Sequence, residues 1–560
     1  APREHTVTCA SDGEGPTSVT MNWLLDPVTD PVSVLSFELL AEILLGTSAA
    51  PLRRRLIESG LGDDLSAATG LETDLRELVF SAGLRGTCYE KKEEIEALVT
   101  GEFERLAREG IDPDITEGAL RNVEFRNREI RGGPNGLRLM GKSLRGWLHG
   151  ETPDTTLRFQ RPFDQVRKQA RPGSGYFEDL IQSHLLNNNH RTTVVVLPDP
   201  EQQERERQRT QAWLRDIEQT LTEERRAEIR LEQETLLELQ QTPDPEEAVS
   251  AIPFLKVADL PKEVERIPTE EHVVTNDVTV YAHDVFTNGI AYVDLSFDLS
   301  GIDRSLLKFL PLYASALSEV GLPGRSYDQV ATEIALKTGG VHGFLEAVVP
   351  VHEAHVADRR FYVRLKCLET GLSDALELLE ELLLNATLDN QSRLLELWRE
   401  RRSEMSGSVL PAGHSYASLR AGRAFSDAAR YEDEWRGIGQ LLFVHQEIPE
   451  ISRHLLAVHE GLVRTGNLTV NATAGSAMLP TVLSHVEELV RALPEGGWTS
   501  QMDADGTQAY PKHEALVVPS NVSYVAAALP ASRYGTVEHA HELVLAHLLR
   551  TGYLWETIRM

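Results

Sequence analysis

Residues 291–320 read AYVDLSFDLSGIDRSLLKFLPLYASALSEV, and the order of structures in this stretch decides the fold. The apolar run at 291–299 predicts a strand, and 301–303 predicts a turn. Residues 306–320 predict a helix with two glycines behind it. The stretch is therefore one strand–turn–helix unit.

The same order occurs nearly three times along the chain. The first copy has a strand at 19–25 and helical stretches at 36–45 and 52–61. The third copy has a strand at 523–529 and a helix from 538, and the chain then stops before that sheet is complete. Repetition of an α/β unit indicates a multi-domain chain. The interrupted third unit predicts that the working protein is longer.

Alternating apolar side chains follow in the first two copies, at 78–84 and at 361–367. Such alternation is typical of strands buried on one face. An amphipathic helix comes after each of them, at 89–108 and 372–384. The predicted fold class is α+β, built from repeated sandwiches of a sheet and a helix layer.

A tract rich in Glu, Gln and Arg occupies residues 201–241. Thr222, followed by two glutamates, predicts a helix start there, so the tract is expected to form two antiparallel helices that connect larger bodies. A solvated charged tract without partners is the alternative. Four prolines between 243 and 261 mark a boundary, and the Gly-rich stretch 494–508 predicts a second linker.

Composition describes an ordinary globular protein, with 560 residues, 41% hydrophobic and 25% charged. The net charge of −30 predicts repulsion of nucleic acid and anionic lipid and attraction of cationic peptides, although acidity alone also serves solubility. No apolar run is long enough to span a membrane. Three scattered cysteines indicate neither a disulfide framework nor a thiolate metal site, and favour a reducing compartment.

Two kinds of catalytic motif bear on the function of the chain. Residues 136–143, GLRLMGKS, satisfy a phosphate-loop pattern, but charged helical sequence precedes them instead of a strand, so a helix is expected and nucleotide binding is only an alternative. None of the 18 histidines has another four residues away, so both zinc-protease motifs, H-E-x-x-H and H-x-x-E-H, are absent. Closely spaced histidines leave a metal site open as an alternative to solvated or capping roles: His352 and His355, His454 and His459, His539 and His541.

Several segments together resemble the presequence-protease branch of the pitrilysin (insulysin-like) zinc metallopeptidases. They are LIESGLG at 56–62, ATG at 68–70, FLKVADL at 254–260, LKTGG at 336–340 and NLTVNAT at 467–473. The order of the predicted elements fits the same family over nearly the whole chain.

The resemblance implies four homologous α/β domains in two halves, which are joined by a helical hairpin and close around an acidic peptide chamber. The first domain of such enzymes carries H-x-x-E-H, the zinc ligands and the general base. On this basis the chain holds the second domain, the hairpin, the third domain, a linker and the truncated start of the fourth, at 1–200, 201–253, 254–495, 496–507 and 508–560.

The resemblance also implies a role for Arg559. In the family, R-x-x-G-G-A-Y of the fourth domain holds the substrate backbone and the scissile carbonyl. Residues 556–559 match the lead-in to this motif, so Arg559 is expected to bind substrate, while the Tyr position lies past Met560. Taken without the family, the residue is better explained as a helix-end cation that offsets the helix dipole, and the resemblance favours the substrate-binding role. No catalytic residue and no metal ligand are expected in this chain.

The expected function is the non-catalytic portion of a zinc metalloendopeptidase that degrades unfolded, basic peptides such as cleaved targeting presequences. The chain would supply chamber wall, hinge and part of the substrate clamp. Zinc would be held by the missing first domain, so this chain alone is expected to be inactive and zinc-free. Its expected partners are peptides and the missing parts of the same polypeptide, without nucleic acid or membrane.

The family resemblance suggests the mitochondrial matrix or plastid stroma for a eukaryotic source, and otherwise the cytoplasm. A second function stays open, because the family also contains non-enzymatic scaffold or peptide-binding subunits. The reading frame on either side of this segment would discriminate the two, since an upstream H-x-x-E-H domain supports the enzyme.

Overall fold

Two mixed sheets, each with its own helices, organise the chain. A computed structural model describes residues 2–11, 17–130, 135–264, 266–351, 357–448, 450–498, 509–518 and 522–559. The first unit consists of β1 (Arg3–Ala10), β2 (Thr17–Pro27), α1 (Pro31–Leu45), α2 (Pro51–Glu58), β3 (Asp64–Leu65), β4 (Gly70–Glu72), β5 (Glu77–Thr87), α3 (Lys92–Glu109), α4 (Pro113–Arg128), α5 (Asn135–Trp147), α6 (Gln160–Gln169), α7 (Tyr176–Leu180) and β6 (Arg191–Asp199).

Three linker helices separate the two units: α8 (Gln202–Thr220), α9 (Glu223–Gln241) and α10 (Glu246–Ala251). The second unit consists of β7 (Glu270–Val273), β8 (Thr279–Asp284), β9 (Ile290–Asp298), α11 (Leu310–Glu319), α12 (Tyr327–Lys337), β10 (Val341–Val348), β11 (Asp358–Leu368), α13 (Leu372–Asn385), α14 (Gln391–Ser408), α15 (Gly413–Gly422), α16 (Asp427–Arg436), α17 (Ile438–Val444), α18 (Ile451–Leu462), β12 (Leu468–Ala474) and α19 (Leu479–Ala492). The last long helix is α20 (Val537–Thr551).

The two sheets share one strand order. The first runs β1-β6-β2-β5-β3, with β4 also on β5, and the second runs β10-β11-β9-β12-β8-β7. Each unit therefore places its last strand between its first two main strands, parallel to one and antiparallel to the other. Strand β7 is an addition at the edge of the second sheet. The predicted α+β repeat is confirmed by this shared topology.

Each sheet buries one face under helices. In the first unit, Trp23 of β2 is fully buried between the rings of Phe80 and Phe103, and its indole N–H donates to the carbonyl of Leu185 at 2.9 Å. In the second unit Phe297 of β9 and Phe361 of β11 stack in the core. Burial of such large apolar surfaces is the main driving force for folding of each unit.

Among the three linker helices, the long ones α8 and α9 lie in solvent, with no buried residue on either helix. The side chain of Thr222 accepts a hydrogen bond from the backbone N–H of Arg225, as expected of the predicted helix start. Their apolar residues stay exposed, and Trp213 has 60% of its surface accessible. The helices themselves are confirmed, but they contribute little to either core.

One predicted element is wrong. Residues 523–529 form no strand, and Val525 is 94% exposed. A strand needs a neighbouring strand to satisfy its backbone N–H and C=O groups, and no strand in the described part of the chain pairs with this segment. The helix predicted after it is present as α20.

Helices α4 and α12 pack together and bring the two units into contact. The Gly118 position in α4 lies against Ala335 in α12. Beside this contact the guanidinium of Arg54 pairs with Asp328 at 2.5 Å, and the Tyr327 hydroxyl donates to Glu58 at 2.6 Å. The two units are thus joined by packing as well as by the linker.

None of the described helices has both the length and the apolar character to cross a bilayer. The three cysteines are free, with Cys9 exposed and Cys367 buried.

Candidate functional site

The face of the second sheet that points away from its core carries polar and aromatic side chains. Strand pairing places them in rows, because residues opposite each other in a sheet point to the same side. One row runs His342, Arg364, Asp294, Asn471 and Tyr281 across five strands. The neighbouring row runs Phe344, Tyr362, Ser296, Thr469 and Thr279. We call these two rows the open face.

An ion pair stands at the centre of the open face. The Arg364 guanidinium donates to both carboxylate oxygens of Asp294, at 2.7 and 2.6 Å. This hydrogen bonding, stronger than the effect of burial, raises the pKa of Arg364. A bidentate pair of this kind has a fixed geometry, so it holds the guanidinium in place on the sheet.

Aromatic rings lie beside this pair. Phe344 and Tyr362 stack with centroids 4.9 Å apart and an angle of 9° between planes. The Arg364 guanidinium lies 5.3 Å from the Phe344 centroid. Burial raises the pKa of Tyr362, so its hydroxyl stays protonated near neutral pH. A flat aromatic surface next to fixed polar groups is suited to bind the side chains of an extended peptide.

At one margin the open face meets the first unit. The Lys366 ammonium pairs with Glu129 at 2.5 Å, and it also lies 6.0 Å from the Tyr292 ring. Desolvation, followed by the charges of Lys366 and Arg364, lowers the pKa of His342. The histidine is therefore mainly neutral at pH 7 and can donate or accept a hydrogen bond.

The open face is chemically a binding surface. Its polar groups are hydrogen-bond donors and acceptors fixed on strands, without a nucleophile activated by an adjacent base. Among the described residues, no three or more His, Cys, Asp or Glu side chains gather into a possible metal site. The described part of the chain therefore does not fit a zinc ion, and no catalytic step is assigned to one here.

The predicted substrate-binding residue, Arg559, is the last residue of a short helix, Trp555–Arg559. Its side chain lies outside the described residues, and so do His352 and His355. His454 stacks on Phe309 at 4.2 Å, and the Nδ1 of His459 hydrogen-bonds to the buried hydroxyl of Tyr313 at 2.9 Å. His454 and His459 thus have structural contacts.

The phosphate-loop pattern at 136–143 lies within α5, as the sequence predicts. In this helix the backbone N–H groups of residues 139–143 are directed to carbonyls four residues earlier, so they cannot surround a phosphate as a phosphate loop does.

The open face was missed by sequence reasoning. The alternation of Phe361, Val363, Leu365 and Cys367 is visible in the sequence, and it implies that the residues between them point to the other side. Attention to the residues between the apolar ones would have found Tyr362 and Arg364. Their partners on β9, β10 and β12 depend on strand order, which the local pattern does not contain.

Two family models match the chain. Residues 2–123 match the model described as the inactive domain of peptidase family M16. Residues 196–446 match the model described as the domain associated with subfamily C of the same peptidase family. The second match includes the linker helices and most strands of the open face.

Curated relatives are similar over most of the chain. Presequence protease 1, chloroplastic/mitochondrial, of Arabidopsis thaliana is 31% identical over 552 residues, which cover 96% of this chain and 51% of the plant protein. The mitochondrial presequence protease of Xenopus tropicalis is 26% identical, and the match covers 88% of this chain and 48% of the frog protein. Protein HypA of Clostridium perfringens is 26% identical, and the match covers 97% of this chain and 56% of the bacterial protein. The chain spans about half the length of these relatives.

Among solved structures, the ferredoxin protease FusC in complex with Arabidopsis ferredoxin aligns with a TM-score of 0.35 and 12% identity, over 90% of this chain and 52% of that chain.

The two family models together match residues 2–123 and 196–446, and the curated relatives include presequence proteases from plant and animal sources. The chain is therefore similar to peptidases of the M16 family over most of its length, and its curated relatives include presequence proteases.

Proposed function

We propose that this chain is the non-catalytic portion of a zinc metalloendopeptidase, and that it supplies a wall of the chamber in which unfolded peptides are held. The observation that carries the proposal is the open face, where a fixed Arg364–Asp294 pair lies beside the Phe344–Tyr362 stack. The matches to M16 family models and the similarity to relatives named presequence proteases support the same assignment.

The preferred substrates are unfolded, basic peptides such as targeting presequences. The net charge of −30 gives a long-range attraction for cations, which accelerates the encounter with a basic peptide. The aromatic rings of the open face offer cation–π contacts to Lys and Arg side chains after docking. Arg559, at the end of its short helix, is assigned to the substrate clamp by the motif lead-in that it shares with the family.

Zinc would be bound by parts of the complete protein beyond this chain. When bound there, it would polarise the peptide carbonyl and activate water. The linker helices would serve as the hinge between the halves. The compartment would be that of the organellar relatives, the mitochondrial matrix or plastid stroma, in a eukaryotic source and the cytoplasm otherwise.

Peptide binding to the purified chain tests this assignment. A fluorescent 20-residue peptide with several Arg and no acidic residue should raise its anisotropy on addition of the chain, and the affinity should fall with added salt. A peptide in which Glu replaces each Arg should bind at least tenfold more weakly. Equal binding of the two peptides would contradict the preference for basic substrates.

Two variants locate the binding surface. Phe344→Ala combined with Tyr362→Ala should weaken binding of the basic peptide about tenfold, which corresponds to about 1.4 kcal/mol. The matched control is Phe286→Ala, because Phe286 is 81% exposed and lies outside the open face. An unchanged affinity in the double variant would exclude the open face as the peptide site.

Activity assays separate the enzyme fragment from the alternative of a non-enzymatic scaffold. The chain alone should not hydrolyse the peptide, with or without added zinc. Hydrolysis by the chain that a chelator abolishes would refute its non-catalytic role. If the full reading frame also lacks H-x-x-E-H, the scaffold function is correct.

A further inference from the structure

A cavity of about 830 Å³ lies in the helical layer of the first unit, away from the open face. It is bounded by α1, α4, α5 and the residues after β4. The phosphate-loop pattern of the sequence lies in α5, which forms one wall of this cavity. The proposed function gives these residues of α5 no role. The cavity and its lining do not depend on that function.

Cations line one side of the cavity. Arg138, Lys142 and Arg145 follow each other at intervals of four and three residues on α5, so they share one face of the helix. Arg145 is neutralised by Asp74 at 3.0 Å and by Glu38 at 3.6 Å. The other two cations differ from it in their partners.

Arg138 and Lys142 donate to neutral hydrogen-bond acceptors. The Arg138 guanidinium donates to the side-chain oxygen of Asn135 at 2.9 Å, and the Lys142 ammonium donates to that of Asn127, also at 2.9 Å. Lys142 also lies 5.5 Å from the Phe159 centroid. In the described part of the chain, neither cation forms an ion pair with a carboxylate.

The uncompensated charge has a cost at Lys142. Burial, only partly offset by Glu38, lowers the pKa of Lys142. In a chain with 86 acidic residues against 56 basic ones, a half-buried lysine without a carboxylate partner among the described residues is unusual. An anion placed between Lys142 and Arg138 would remove this cost.

The rest of the wall is part polar and part aliphatic: Glu42 is paired with Arg126, and Glu38 and Asp74 are paired with Arg145. Six residues contribute apolar surface to it: Ala41, Leu45, Leu71, Val123, Leu144 and Leu148. Gly141 lies between the cations and the leucines, and a Cβ atom at this position would have no neighbour within 4 Å. Both the polar and the apolar parts of a ligand would therefore have room.

We propose that this cavity is a binding site for a small amphipathic oxyanion, a molecule with one carboxylate or phosphate head and a short apolar body. The head would lie between Arg138 and Lys142, where side chains rather than backbone N–H groups would hold it. The body would lie on Leu45 and Leu148.

Calorimetric titration of the full 560-residue chain tests the site with three probes of equal chain length: decanoate, decyl phosphate and decyltrimethylammonium. Decanoate or decyl phosphate should bind, and the difference between them identifies the preferred head group. The cationic probe should bind at least tenfold more weakly. Equal binding of the cationic probe, or no binding of either anion, would overturn the proposal.

Two variants assign binding to this cavity. Arg138→Gln with Lys142→Gln should weaken anion binding at least tenfold, whereas Arg161→Gln with Lys168→Gln removes the same charge from exposed positions of α6 outside the cavity and should not. Gly141→Leu keeps all charges and fills the cavity, so it should also weaken binding. Wild-type affinity in a folded Gly141→Leu chain would overturn the proposal, and circular dichroism establishes the folding of each variant.

Discussion

Gly339 lies directly against the ring of Phe125, so that a Cβ atom at residue 339 would come within 2.3 Å of two ring carbons. Phe125 belongs to α4 of the first unit, while Gly339 follows α12 of the second. The next residue, Gly340, has a φ of 123°, which other residues rarely adopt. Gly339 is therefore required by the contact between the two units, and Gly340 is required by its positive φ.

Gly339→Ala should destabilise the chain by about 1–3 kcal/mol, because the added methyl group must displace a packed ring. Urea unfolding followed by circular dichroism measures this. Gly101→Ala in α3 is the control, since a Cβ atom there meets nothing within 4 Å and alanine favours helices by about 1 kcal/mol. A neutral Gly339→Ala would show that the inter-unit contact is loose.

Limited trypsin digestion should cut first within α8 or α9, because neither helix has a buried residue that would resist local unfolding. The two halves should still co-elute in size-exclusion chromatography, because the α4–α12 contact and the Arg54–Asp328 pair remain. Separation of the halves after a cut in the linker would contradict the interface.

Asp433→Asn should cost about 1–3 kcal/mol, because it removes a buried carboxylate that accepts from Arg420, although Arg420 keeps its ion pair with Glu514. The Asp433 carboxylate is 2% exposed, accepts from Arg420 at 2.8 Å and also accepts the backbone N–H of Ile438. The exposed pair partner Glu487 provides the comparison, and Glu487→Gln should change the free energy of unfolding by less than about 0.5 kcal/mol. Urea unfolding of both variants measures the difference.

Stability should fall between pH 7.5 and 5.5 partly because of His459. Burial lowers the pKa of this imidazole below its usual 6.5. As the pH falls through this range, the unfolded chain therefore binds a proton at this histidine before the folded chain does. Its contribution is present above the unfolded-state pKa of about 6.5 and is lost as the pH falls from there toward the lowered pKa of the folded chain. His459→Gln should therefore show a smaller decrease in the free energy of unfolding over this range than the wild type. His190→Gln, at an exposed position, should retain the wild-type slope.

Much of the fold follows from local sequence pattern. The strands around Trp23 and Phe361, and the helix start at Thr222, are found where periodicity and capping chemistry place them. The strand expected at 523–529 fails because a strand is stabilised by its neighbours, and none is present in the described structure.

The candidate site was less predictable. The contact of Arg364 with Asp294 joins residues 70 apart, and it depends on the register between β11 and β9. Register is set by the complete sheet and its core, so no single segment encodes it. The cavity beside α5 likewise needs three helices from different parts of the chain.

The shared strand order also has a consequence for synthesis on the ribosome. Thr192 of β6 pairs with Arg3, and it also pairs with Asn22, so the strand made last occupies an interior position of the first sheet. Until it emerges, β1 and β2 have no common neighbour, and both expose unpaired backbone. Each unit must therefore wait for its final strand before its sheet can close, so closure of each sheet depends on contacts between distant parts of the chain.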